Sequence, residues 1–96
     1  MVSQVTVITE SPGILRPLLK TALRKEVGVV MQGIKRTEER LRTFERQYGM
    51  TTAEFERRFG AAELDETLDF IDWLGEIKML QVLTDQKQAL DSARVT

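Results

Sequence analysis

Asp65, Asp69, Asp72 and Glu76 fall at i, i+4, i+7 and i+11, the spacing that would line up four carboxylates on one face of a helix. Carboxylates this close repel one another and are relieved by Arg or Lys, so such a row could engage a basic protein or imitate nucleic-acid phosphate. Carboxylates alone can also hold Mg²⁺. A solvated acidic face beside the positive end of a helix explains the same residues with no ligand at all. Cysteine and histidine are both absent. That removes disulfides, thiolate and imidazole metal ligands, cysteine nucleophiles and imidazole bases together. No phosphate-cradling glycine loop or nucleophile motif accompanies the acidic row, so the expectation is a non-enzyme without metal or cofactor. Trp73, beside Asp72, reads either as core filler or as an aromatic anchor for a partner.

The basic residues are less segregated. Lys35, Arg36, Arg40, Arg42 and Arg46 alternate with Glu38, Glu39 and Glu45, as on a salt-bridged exposed helix, and only Arg57 and Arg58 form a clean pair. No helix-turn-helix or ribbon-helix-helix pattern is present, so nucleic acid is not the expected partner. Charge is divided along the chain, however. Residues 1–58 hold 11 basic against 7 acidic side chains and residues 59–96 hold 3 against 8, within a total of −1. Opposite signs favour antiparallel packing of the two halves or a charged partner for one of them.

These side chains must be positioned by helices. Leu23, Val27, Val30, Ile34, Thr37, Leu41, Phe44 and Tyr48 are spaced alternately four and three residues apart. This is a heptad seam that needs a partner helix, from the same chain or from another copy. Self-association through this oligomer seam is expected, with Thr37, its polar member, either setting the register or merely tolerated. Ser11-Pro12 is a helix start, and one helix over 12–48 survives Gly28 and Gly33, each costing about 1 kcal/mol; the two glycines can also permit close helix approach. Thr51 and Glu54 have capping-box spacing, with Met50 and Phe55 placed as a hydrophobic staple. They open a short helix over 51–60 that Gly60 should stop. A third helix over 65–91 carries Phe70, Trp73, Ile77, Leu80 and Thr84, widened by Ile71, Leu74 and Leu83. Val2, Val5, Val7 and Ile8 alternate with polar residues, so residues 1–10 suit an extended arm or short strand, and the tail after Asp91 should fray.

The fold class expected is therefore all-α, a single domain over 1–96 shaped as a coiled-coil-like helical hairpin. Its 42% hydrophobic and 30% charged residues are ordinary for a soluble protein. With no export signal or membrane span read from the sequence, a cytoplasmic protein is expected.

One segment adds a resemblance. Tyr48-Gly49-Met50-Thr51-Thr52-Ala53-Glu54-Phe55-Glu56-Arg57-Arg58-Phe59, then Glu63-Leu64 and Asp69-Phe70-Ile71-Asp72-Trp73, resembles the antitoxin side of TumE-type toxin-antitoxin pairs. These are small helical bacterial and archaeal proteins encoded beside a toxin gene. The resemblance covers residues 41–83 and does not include the N-terminal arm. It implies neutralisation of a toxin by direct binding, with Phe59, Asp69, Asp72 and Trp73 as the matching interface positions; the acidic row adds Asp65 and Glu76. Two alternatives are a self-assembling structural coiled coil and a small helical nucleic-acid-binding regulator.

Overall fold

Helix α1 spans Pro12–Tyr48. It starts at Pro12 because the missing proline amide costs nothing in a first turn; the carbonyl of Ser11 accepts from the amides of Ile14 and Leu15, while the Ser11 hydroxyl makes no capping bond. Gly49, at φ 64, ends the helix in a left-handed turn, a conformation open to glycine without a steric penalty. Helix α2 spans Thr52–Gly60, with Thr51 Oγ1 accepting from the amide of Glu54 at 3.1 Å. Met50 packs against the core cluster that contains Phe55, the side on which a staple would place both. Helix α3 spans Leu68–Ser92. The structure, a computed structural model, describes residues 3–96.

The chain is an all-helical hairpin, with α3 packed along α1 and the short α2 between them. At about 1.5 Å per residue, the 37 residues of α1 outreach the 25 of α3. The first turns of α1 therefore extend past the end of α3, and the molecule measures 58 × 26 × 18 Å. Two expectations about boundaries are corrected here. Helix α3 starts at Leu68 and not at residue 65, because Thr67 is extended and its hydroxyl accepts from the amide of Phe70 at 3.1 Å. Gly60 is the last residue of α2, not its left-handed stop. That conformation falls two residues later, on Ala62 at φ 57, where the amides of Ala62 and Glu63 return to the carbonyls of Phe59 and Arg58.

Every seam residue from Leu23 to Tyr48 is buried or half-buried within the single chain. The seam expected to join copies is thus occupied by α3 of the same chain, which alters its assignment as an oligomer seam. Gly33 marks the closest approach, since a Cβ there would lie 3.1 Å from Leu83 Cδ1, whereas Gly28 faces open space. Thr37 is buried in the seam. On α3, Phe70 and Trp73 are buried and Ile77 and Leu80 half-buried, but Thr84 is exposed and Leu83 takes the contact. The core is concentrated at the closed end, where Leu41, Phe55, Phe70 and Trp73 meet. Residues 3–9 have no regular secondary structure and are exposed; Val2, assigned to the same arm by its sequence, lies outside the described residues. At the other terminus α3 continues through Ser92, and Arg16 Nε donates to the carbonyl of Thr96 at 2.9 Å.

Candidate interaction groove

The six sequence-assigned interface residues do not form one surface. Trp73 is fully buried, stacked on Phe55 at 4.0 Å between ring centroids and on Phe44 at 5.4 Å. Its indole N–H donates to Thr52 Oγ1 at 3.2 Å. An aromatic with both faces covered and its donor satisfied is core, so Trp73 is not an anchor offered to a partner. Phe59 is half-buried and packs on Phe55 at 5.6 Å, bracing the same core from α2. Asp65 precedes α3 and cannot continue the helical row.

Asp69, Asp72 and Glu76 do lie on α3, along its border with α1. Asp69 Oδ2 accepts from the Tyr48 hydroxyl and from Gln47 Nε2, the latter at 3.3 Å. This carboxylate fastens the two helices at the closed end. The hydrogen bond to Asp69 is also the main reason the Tyr48 phenol is held above its ordinary pKa of 10.0, followed by burial and then by the negative charge of Asp69. Glu76 Oε1 accepts from Arg40 Nη1 at 3.0 Å, while Oε2 is covered and has no hydrogen-bond partner among the described residues. Asp72 is exposed between them.

Asp72 and Glu76 line an open groove of about 560 Å³ together with Arg40, Thr43, Phe44, Ile71 and Gly75. Arg40 and Thr43 come from α1 and Asp72 and Glu76 from α3, so the groove exists only because the helices are paired. Phe44 supplies a ring whose other contact is Trp73, and Ile71 leaves half its surface exposed. This combination of apolar surface and flanking carboxylates suits a side chain with a long apolar stem and a cationic head, such as Arg or Lys. Among the described residues no three carboxylates converge as a metal site.

Two contacts had no sequence signal. Glu45 Oε2 accepts from the amide of Thr52 at 2.7 Å, satisfying a first-turn amide of α2 from the end of α1. The Tyr48 and Asp69 pair is equally non-local. Phe55, by contrast, was marked by the staple pattern, although its complete burial depends on Trp73. No helix among the described residues is long and apolar enough to cross a membrane. Comparison with protein-family models, curated proteins and solved structures found no match to this chain.

Proposed function

We propose that this chain is a non-catalytic helical binding protein that neutralises a partner protein by direct contact, in the manner of an antitoxin. The observation that carries the reading is Glu76 in the interhelix groove: one oxygen is held by Arg40 and the other is covered and unpaired, beside the exposed carboxylate of Asp72. An unpaired buried acceptor costs about 1–3 kcal/mol, and the broad terminal torsion of Glu lets the carboxylate turn toward an incoming donor. A basic side chain of the partner would satisfy Glu76, pair with Asp72 and lay its stem on Phe44 and Ile71. The resemblance of residues 41–83 to TumE-type antitoxins points to the same class of function and suggests a toxin encoded by the adjacent gene.

Asp72→Lys tests this. Asp69 is unsuitable, because changing it would also release Tyr48 and Gln47. The variant should keep its helical circular dichroism and capture the adjacent gene's product, toxic when expressed alone, at least ten-fold less well in a pull-down from the native host. Undiminished capture by the variant removes the groove from the interface, and an adjacent product that is neither toxic nor bound by the unaltered chain removes the antitoxin reading.

A further inference from the structure

Helix α3 is apolar on two opposite sides. One side packs on α1; the other presents Leu68, 82% exposed, followed by the half-exposed Ile71, Met79 and Val82. With Gly75 these residues are spaced 3, 4, 4 and 3 apart, so they form a continuous stripe along the helix. The outward row of α1 differs over its second half, beyond the exposed Val29 and Met31. Gln32, Lys35, Glu39, Arg42 and Arg46 are all exposed and polar. A helix with apolar residues around its circumference is one that is covered from more than one direction, and among the described residues α1, joined by α2 at the closed end, packs on the opposite side of α3 from this stripe.

We infer that the outward stripe of α3 is the surface on which a second copy of this chain docks, by antiparallel two-fold packing of α3 on α3 centred at Gly75. The spacing is the first argument. A two-fold interface requires that if residue i meets residue j of the other copy, j also meets i. The stripe reads the same in both directions from Gly75, which sets Leu68 opposite Val82 and Ile71 opposite Met79 of the second copy. Gly75 is the second argument: it is exposed, with nothing within 4 Å of where a Cβ would sit, so its missing side chain serves no packing need inside the chain. A glycine at the crossing point lets two helix backbones approach closely.

Area is the third argument. A folded monomer of 11.0 kDa exposes about 5,600 Å². This chain exposes 7711 Å². The excess is shared among the extended arm, the projecting start of α1 and the α3 stripe, and it leaves room for the roughly 800 Å² per partner that a stable pair buries. The resulting dimer has four long helices, with the two α3 helices at its centre and the α1 helices outside, and an α2 at each closed end. It forms without any other protein, so its test does not depend on the proposed neutralising function, although Ile71 and Gly75 belong to both surfaces.

The test uses the full chain alone. Light scattering after size exclusion should give twice the chain mass. Met79→Asp with Val82→Asp, both outside the groove, should halve that mass while leaving the helical circular dichroism unchanged. Gly75→Cys, the sole thiol in a chain without cysteine, should give a covalent dimer on mild oxidation, since helices crossing at this residue can bring its Cα atoms within the roughly 4.4–6.8 Å a disulfide needs. Lys35→Cys on the outer face of α1 should cross-link far more slowly. A monomer at every concentration overturns the inference. So does a dimer that survives the two aspartates, or cross-linking equal at residues 75 and 35.

Discussion

Tyr48 shows how a single side chain can join distant parts of the sequence. Its ring packs on Phe70 at 4.9 Å, and its hydroxyl donates to Asp69. Because that contact raises the phenol pKa, the folded state resists an ionisation that the unfolded chain undergoes at about pH 10. Its contribution to stability is complete below the unfolded pKa and is lost as pH rises through the raised folded value. As the chain has one tyrosine, a phenolate absorbance titration reads this group alone. Asp69→Ala should move its midpoint back toward 10.0; an unmoved midpoint would show that Asp69 is not the cause. At this scale the sequence revealed residue chemistry better than residue address. Residue type favours core for Trp73 and leaves an interface anchor as the lesser alternative; Phe44 and Phe55, covering its two faces, exclude the anchor.

Elements were more legible, because helix starts and stops are written in local side-chain chemistry. The expected bounds of α1 are those observed, and Thr51 caps α2 as its spacing with Glu54 suggested. The start of α3 was misplaced because Asp65, Glu66 and Asp69 all favour a helix N-terminus, and charge preference extends over more residues than a capping bond does. Thr67 decides the matter with one hydrogen bond. The loop before it contains the least comfortable backbone in the described chain, since Ala62 has φ 57 without being glycine. A left-handed conformation costs a residue with a Cβ about 1–2 kcal/mol, while glycine loses about 0.4–1 kcal/mol more chain entropy on folding. Ala62→Gly should therefore raise stability in urea denaturation by about 0.8 kcal/mol, the difference between the midpoints of those two ranges. A loss of stability would show that the strain is relieved elsewhere.

The whole molecule is an uneven hairpin. Its radius of gyration is 18.8 Å, against about 12.5 Å for a globular domain of this length, and the aromatic core sits at the closed end. Hydrogen exchange should follow this gradient. Amides from Leu41 to Tyr48 and from Phe70 to Ile77 should exchange slowest, and those in the first turns of α1, beyond the end of α3, fastest. Uniform protection along α1 would mean that its projecting end is covered in solution. By itself the sequence determined the helices, the seam on α1 and the absence of cysteine and histidine chemistry, because periodicity, caps and composition act locally. Only the tertiary structure decided that the seam is filled from within the chain, that Trp73 is core, and that Asp69 and Glu76 bind α1. A heptad pattern specifies that a helix needs a neighbour but not whose, and the short connection from α2 to α3 lets that neighbour be the chain's own third helix.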